Sequence, residues 1–361
     1  MKGLLLVCLF CSLVLCLSTA EARTWYINPD GSGDAPTIAA GISSATAGDT
    51  VLVACGTYYE SCVQMKSGVC LRSITGLPDC VIIDADKHDS VMYGSYLESG
   101  TRVEGITLLR GSAAWSPSNP ARGGGMQLTD SYVRIASCAF VSNEAGWGYG
   151  GGLCCTGGSP IVTDCTFSQN SALRGGGVYF SSLIDPLFLT RCVFFDNSAN
   201  AGGGGLCCSG SAALTSCTLS GNSASAGGGI YWTGRVTRSP TQQMSLILTN
   251  VTLAFATQGG AIWPEFPELV PDLGCCDIYG NAGGDWVGGI AGQEGINGNF
   301  SLDPLFCDVA GDNYTLMQCS PCAPGNHPDG WECGLIGALP VGCTGTPVEP
   351  TSWGRVKALF R

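Results

Sequence analysis

The sequence predicts an all-β solenoid, in which one chain winds into stacked coils. The first observation is a motif that begins with Cys and ends five residues later with Asn. Its first four copies are separated by steps of 27, 27 and 25 residues, and the five copies are 138–143, 165–170, 192–197, 217–222 and 276–281. The second observation is a run of glycines before an aliphatic residue, which recurs between these copies, as in Gly175 to Val178. A fixed period of this length is typical of repeat proteins.

The units contain short β-strands and leave no room for a helix of ordinary length. Alternating segments such as Thr166-Phe167 and Val178 to Phe180 indicate two or three strands per coil. This excludes ankyrin-type and tetratricopeptide-type repeats, whose units are built from helices. In a stack of parallel strands, equal positions form columns about 4.8 Å apart. We therefore expect Cys, Phe and aliphatic columns inside, Asn amides stacked at a bend, and glycines with positive φ at a corner.

Composition and charge narrow the range of binding partners that we expect. The chain has 361 residues, 45% of them hydrophobic, and a net charge of −12. This charge makes nucleic acid and anionic lipid poor partners. Between Ser239 and Gly354 there are twelve acidic residues and no Lys or Arg. We interpret this end as a solvated acidic surface, and the alternative is Ca²⁺ binding.

The chain divides into five predicted segments. Residues 1–22 have the charged start, apolar stretch and Ala20-Glu21-Ala22 cleavage pattern of a signal peptide, so we expect a secreted or cell-surface protein. Residues 23–110 form an N-terminal cap with a short helix and the first coils, and 111–298 hold the repeats. Residues 299–343 form Cys-rich closing coils or a cap, and 344–361 form a linker and tail. We predict no transmembrane segment in the mature chain, and a monomer.

Cysteine is abundant, with 22 residues in the full sequence. Export permits disulfides, so we favour them over a zinc site at Cys319, Cys322, Cys333 and Cys343. The Cys column of the repeats is better explained by small buried thiols. The stronger disulfide candidates are Cys55, Cys62, Cys70, Cys80, Cys307, Cys319, Cys322, Cys333 and Cys343.

Two parts of the sequence resemble known families. Phe-x-x-Asn, as in Phe167 to Asn170, together with Gly259-Gly260-Ala261-Ile262, resembles the repeat of chlamydial polymorphic outer-membrane proteins. The segments 48–51, 56–58 and 81–84 resemble bacterial proteins of the pectin-lyase-like superfamily. The resemblance implies a single right-handed parallel β-helix with a short N-terminal capping helix and a Cys-rich C-terminal cap. Because this fold hosts many functions, it does not fix an activity.

The catalytic residues expected of pectin-lyase-like enzymes are not evident. The Asp-Asp pair and Gly-His-Gly segment of polygalacturonases are missing, and the sequence has only two histidines. The best alternative is the cluster Asp84, Asp86, Lys87 and Asp89, which offers an acid/base pair or a Ca²⁺ site. The competing interpretation is a polar turn after a strand. We predict no cofactor, with Ca²⁺ as the alternative.

An aromatic column is the candidate ligand-binding surface. If Val178, Ile230 and Ile262 point inward, then alternation places Tyr179, Tyr231 and Trp263 outward. Two long loops, 233–243 and 264–274, follow this strand in successive coils. They contribute the remaining candidates, which are Arg235, Arg238 and Glu265.

We therefore predict a secreted or surface-attached bacterial protein that binds polysaccharide or a cell-surface glycan without cleaving it, as an adhesin would. The alternatives are a polysaccharide lyase or glycoside hydrolase, and a structural surface-layer component. The repeat lapses between the two long loops, where Asn250 is expected at the Cys position and Phe255 at the Asn position. We expect any site to lie near this coil.

Overall fold

The computed structural model describes residues 21–113, 123–234 and 244–344. Within these residues the chain forms a parallel β-helix with three long sheets, here named sheets A, B and C, and each regular coil contributes one strand to each sheet. A shorter sheet D lines the corner between sheets B and C in three coils. The predicted all-β solenoid is confirmed.

The strands of each sheet follow one another at intervals of one coil. Sheet A has ten strands: Thr24–Ile27, Thr50–Val53, Cys70–Ser73, Arg102–Glu104, Arg134–Ala136, Ile161–Thr163, Leu187–Thr190, Ala212–Thr215, Leu246–Thr249 and Asp272–Gly274. Sheet B has nine: Gly56–Tyr58, Val81–Asp84, Thr107–Leu109, Ala139–Val141, Thr166–Ser168, Val193–Phe195, Thr218–Ser220, Thr252–Ala254 and Asp277–Tyr279. Sheet C has eight: Val63–Gln64, Met92–Ser95, Met126–Thr129, Leu153–Thr156, Val178–Ser181, Leu206–Ser209, Ile230–Trp232 and Ile262–Pro264. Sheet D has three: Ser171–Arg174, Ser198–Gly202 and Ser223–Ala226.

Stacked side chains fill the interior as the repeat predicts. Phe140, Phe167 and Phe194 are fully buried, and their ring centroids are 4.6 and 4.7 Å apart. The neighbouring column of Cys138, Cys165, Cys192 and Cys217 is also buried and unpaired. The prediction of buried thiols in this column is therefore confirmed.

The Asn column forms a hydrogen-bonded ladder at the corner after sheet B. The Nδ2 of Asn143 donates to Oδ1 of Asn170 at 3.0 Å, and the same bond joins Asn170 to Asn197 at 2.9 Å. Each amide also donates to a backbone carbonyl of the preceding coil, as Asn170 does to Phe140 at 2.9 Å. The ladder thus satisfies backbone groups that the bend would leave unpaired.

In the coil where the repeat motif is missing, the structure aligns the chain one residue later than the sequence analysis does. Thr252 pairs with Thr218, so Val251 occupies the Cys position and Ala256 the Asn position. Asn250 and Phe255 lie at the two preceding corners, with φ of 56° each. The assignment of Asn250 and Phe255 to the Cys and Asn columns was wrong, because both fill the left-handed corner positions that precede these columns, as Ser216 and Gly221 do one coil earlier.

The N-terminal end of the solenoid is closed by the helix Ile38–Ser44. Thr37 caps the helix by accepting from the Ala40 amide at 3.0 Å, and the Glu60 carboxylate accepts from the amides of Ile38 and Ala39. Ile38 and Ile42 are fully buried against the first coil. The helix therefore covers apolar surface that the open end would expose to water.

The C-terminal cap folds back over the outer face of sheet B. It contains the short 3-10 helix Val309–Gly311 and a sheet of the strands Phe306–Asp308, Asn313–Met317 and Val341–Cys343. A 3-10 helix before the cap, Gly288–Ile290, contacts the last strand of sheet C. The apolar side chains of the cap form a second core with sheet B, in which the rings of Phe195 and Tyr314 lie 4.9 Å apart. This cap gives the last coils a second covered face.

Among the described residues, three disulfides fasten the two ends of the solenoid: Cys55–Cys80, Cys275–Cys333 and Cys307–Cys343. Five of these six cysteines were predicted, and Cys275 was not. Cys70, Cys319 and Cys322 are thiols. Because Cys333 and Cys343 are oxidised, the alternative zinc site with Cys319 and Cys322 does not form. No helix in the described ranges is long and apolar enough to cross a membrane.

Candidate functional site

The predicted aromatic column lies on the outer face of sheet C. Tyr179 pairs with Cys207, Cys207 with Tyr231, and Tyr231 with Trp263, so these side chains lie in one register. The residues before them, among them Val178 and Ile230, point inward and are fully buried. The register predicted from the sequence therefore holds across four coils.

Exposure along the column is uneven, which the sequence did not indicate. Trp263 is 50% exposed, whereas Tyr231 is only 8% exposed and Cys207 is fully buried. Sheet D explains the difference, because its last residues lie beside the column. A Cβ added at Gly202 would lie 2.8 Å from the Tyr231 ring. Sheet D therefore covers the column at Cys207 and Tyr231 and leaves it exposed at Trp263. This outer face of sheet C, bounded by sheet D, is referred to below as the groove.

Arg174 and Tyr149 form part of this wall. The guanidinium carbon of Arg174 lies 5.5 Å from the centroid of the Tyr231 ring, within the range of a cation–π contact. The ring of Tyr149 stacks on Tyr179 with centroids 4.6 Å apart. Neither residue was predicted. Their position in the sequence could have indicated that they share a column, because both immediately precede a glycine run. In the structure they form a β-bridge with each other.

Glu265 adds a carboxylate to the same cluster. Its backbone amide donates to the Trp232 carbonyl at 2.8 Å, and its exposed side chain lies near enough to Tyr231 for its charge to act on that phenol. Burial raises the pKa of Tyr231, and the Glu265 charge raises it further, while Arg174 opposes the shift. Burial likewise raises the pKa of Tyr179. Both phenols therefore stay protonated at neutral pH.

Of the six predicted ligand-binding residues, the structure brings together Tyr179, Tyr231, Trp263 and Glu265. Arg235 and Arg238 lie outside the described residues. The cluster therefore presents aromatic faces, two phenols, a guanidinium and a carboxylate on one side of the solenoid. Such a mixture of apolar faces and directed polar groups is typical of sites for polar ring ligands.

The predicted acidic cluster lies elsewhere, at a corner of sheet B. Asp84 is 3% exposed and receives two hydrogen bonds from Arg110, one of them from Nε at 2.9 Å. Asp86 lies 3.3 Å from the same guanidinium. Burial opposes ionisation of Asp84, yet the bonds from Arg110 and from the Asp86 amide hold its pKa below the ordinary value. Arg110 was not predicted, although it follows the strand that pairs with Asp84.

A small pocket adjoins this ion pair. It has a volume of about 230 Å³, and its lining includes Tyr59, Glu60, Asp84, Asp86 and His88.

The other two residues of the acidic cluster do not line this pocket. Lys87 is exposed with φ of 62°, and Asp89 accepts from the Ser90 amide at 2.7 Å. The four predicted residues thus do not converge on one point, and the carboxylate of Asp84 is hydrogen-bonded to Arg110. Among the described residues, no three His, Cys, Asp or Glu side chains are placed to hold a metal ion.

Comparisons with known proteins find similarity in the fold. The family model described as "Right handed beta helix region" matches residues 67–242. No curated protein matches the chain. Among solved structures, the crystal structure of pectate lyase Pel9A is similar with a TM-score of 0.43 and 11% identity, over 90% of this chain and 97% of that chain. The three parallel sheets, together with the family match over residues 67–242, show that this chain has the fold of a right-handed parallel β-helix.

Proposed function

We propose that this protein binds a polysaccharide or cell-surface glycan in the groove on the outer face of sheet C, without cleaving it. The observation that carries the proposal is the register of Tyr179, Tyr231 and Trp263 along one face. An exposed indole offers a flat apolar surface for a sugar ring. The half-exposed Trp263 at the open end of the groove is the natural place for this contact.

Polar groups beside the aromatic rings support a sugar as the ligand. Arg174 supplies donors, Glu265 supplies acceptors, and Tyr231 holds the two near one another. A sugar has hydroxyl groups at its edges and apolar C–H groups on its faces, so it needs both kinds of contact.

Export is part of the proposal. The three disulfides support it, since such bonds persist in oxidising compartments. The predicted signal peptide lies almost entirely outside the described residues. A secreted or surface location would place the groove where extracellular glycans are available.

Affinity electrophoresis tests the binding directly. The probes are gels that contain polygalacturonate, alginate, xylan or no polysaccharide. We expect at least one polysaccharide to retard the wild-type chain, and Trp263→Ala to weaken this binding about tenfold, which corresponds to ~1.4 kcal/mol. Trp331→Ala is the matched control, because Trp331 in the C-terminal cap is also 50% exposed. Equal retardation of both variants, or none for any gel, would contradict the proposal.

A second candidate function is polysaccharide cleavage at the pocket beside Arg110. It is favoured by Asp84 and Asp86, which line one small cavity and both pair with the Arg110 guanidinium. The exposed Asp86 would serve as the acid or base. The test follows unsaturated products by ultraviolet absorbance on acidic polysaccharides, with and without Ca²⁺. Turnover that Asp86→Ala abolishes would replace the binding proposal with this one.

A further inference from the structure

The C-terminal cap contains two thiols in a Cys-x-x-Cys segment next to a buried carboxylate. Cys319 is exposed, whereas Cys322 is fully buried. The Sγ of Cys322 lies 3.2 Å from Oδ2 of Asp277, a residue on the outer face of sheet B. The other three cysteines of the cap segment are held in disulfides. This pair therefore remains reduced amid oxidised neighbours.

Asp277 has no cationic partner among the described residues, which is unusual for a buried acid. It is fully buried, and its Oδ1 accepts from the Leu302 amide at 3.2 Å. Burial raises its pKa to about 8, and the charges of Asp303 and Asp285 act in the same direction. The carboxyl group can thus accept and return a proton near neutral pH.

The turn that carries the two cysteines is held firmly. The Ser320 hydroxyl accepts from the Cys322 amide at 3.1 Å and donates to the Pro304 carbonyl at 2.7 Å. The Asn326 amide donates to the carbonyls of Gln318 and Ser320. A spacing of three residues within consecutive turns is the arrangement that redox-active cysteine pairs use, with the first thiol exposed for attack.

We propose that Cys319 and Cys322 form a redox-active pair that exchanges electrons with disulfides, with Asp277 as the base that activates Cys322. In the first step, the Cys319 thiolate attacks one sulfur of a disulfide RS–SR′. A bond forms between Cys319 and SR, and R′S⁻ leaves and takes a proton from water.

The second step resolves the mixed disulfide. Where the Asp277 carboxyl is ionised, Cys322 passes its proton to Oδ2 of Asp277, and its sulfur attacks Sγ of Cys319. The S–S bond to R breaks, and RS⁻ leaves and takes the proton from Asp277. Two electrons have then passed from the cysteine pair to RS–SR′, which ends as two thiols, and the chain gains a Cys319–Cys322 disulfide. This activity is independent of the glycan groove, which lies on a different sheet.

The first experiment uses the full chain in a series of ratios of reduced to oxidised glutathione. After alkylation, peptide mass spectrometry assigns each cysteine. We expect the Cys319–Cys322 disulfide to form and disappear reversibly across the series, while Cys275–Cys333 and Cys307–Cys343 stay oxidised. We expect Cys322→Ser to accumulate glutathione on residue 319, Cys319→Ser to accumulate none at residue 322, and the control Cys70→Ser to behave as wild type. A pair that never oxidises, or that never becomes reduced, would overturn the proposal.

The second experiment separates the role of Asp277 from a structural one. Asp277→Asn keeps the shape of the side chain but cannot accept a proton. Rapid mixing with glutathione disulfide should show an unchanged rate of addition to Cys319 and a resolving step slower by about 100-fold, so the mixed disulfide should accumulate. Asp277→Glu should restore part of the second rate. An unchanged resolving step, or equal slowing of both steps, would remove Asp277 from the mechanism.

Discussion

Asn170 donates from Nδ2 to Oδ1 of Asn197 at 2.9 Å, across one coil of the solenoid. The same oxygen accepts from the Asn170 backbone amide at 3.1 Å. Asn197 in turn donates to Asn222 at 2.9 Å and to the Phe167 carbonyl at 2.9 Å. A side chain at this position therefore fixes both the bend of its own coil and the stacking of its neighbours.

Asn197→Ala should destabilise the protein by about 3 kcal/mol or more, because the buried partners of the amide lose their hydrogen bonds. Chemical denaturation followed by circular dichroism measures the change. Asn200→Ala is the matched control, since Asn200 is exposed, and it should change stability by less than about 0.5 kcal/mol. Equal losses in the two variants would show that the ladder is not a source of stability.

The buried Asp277 predicts a stability that falls as pH rises. Its folded pKa of about 8 lies above the ordinary value of 3.8, so the native chain retains a proton that the unfolded chain has lost. Between these two values the free energy of unfolding should fall by up to about 1.4 kcal/mol per pH unit, and this loss should end above the folded pKa. Thermal unfolding from acidic to alkaline pH measures it.

The control for this dependence is Asp303→Asn, because Asp303 is exposed in the cap and contributes less than burial to the raised pKa of Asp277. Asp277→Asn should remove the decline in stability, and Asp303→Asn should largely preserve it. A decline that persists in Asp277→Asn would assign the effect to another group.

Arg110 predicts the opposite dependence on pH. Since its guanidinium lowers the pKa of Asp84, this ion pair stabilises the fold above the ordinary pKa of the carboxyl and is lost as pH falls through the lowered value. Arg110→Gln leaves Asp84 buried without a charge partner, so acid unfolding should begin at a higher pH than in wild type. An acid titration followed by near-ultraviolet circular dichroism tests this, and the exposed Arg134→Gln should leave the midpoint unchanged.

The disulfide Cys275–Cys333 ties the cap to the last coil across 58 residues of sequence. Replacing both cysteines with Ser should lower stability by about 4 kcal/mol, from the entropy of a loop of this length. Near this disulfide, Asn250 donates to the Cys333 carbonyl at 2.8 Å. Limited proteolysis should then cut residues 300–343 faster while the repeats stay resistant. Uniform protection of both regions would show that other contacts hold the cap.

The interior of the solenoid was predictable because the residues that fill it recur in the sequence at the period of one coil. Cys165, Phe167 and Asn170 each recur at the interval of one coil, so their columns follow from counting. Counting failed at Val251 and Ala256, where the motif lapses and only strand register gives the alignment.

The candidate sites were less predictable, since they depend on contacts between unlike segments. Arg174 contacts Tyr231 from sheet D. No sequence motif marks the strands of sheet D, apart from their position before the glycine runs. Asp277 and Cys322 are 45 residues apart and meet only because the cap folds back on sheet B. Sequence spacing indicates which residues share a column, but it does not indicate which surface a later segment covers.

The most direct test of the proposed glycan groove is isothermal titration calorimetry with the polysaccharide that retards the wild-type chain most strongly. Arg174→Ala and Trp263→Ala remove contacts on opposite sides of Tyr231, and Trp331→Ala removes an equally exposed indole from the cap. The proposal predicts that the first two variants each lose about tenfold or more in affinity, whereas the third binds as wild type. Unchanged affinity in both Arg174→Ala and Trp263→Ala would contradict it.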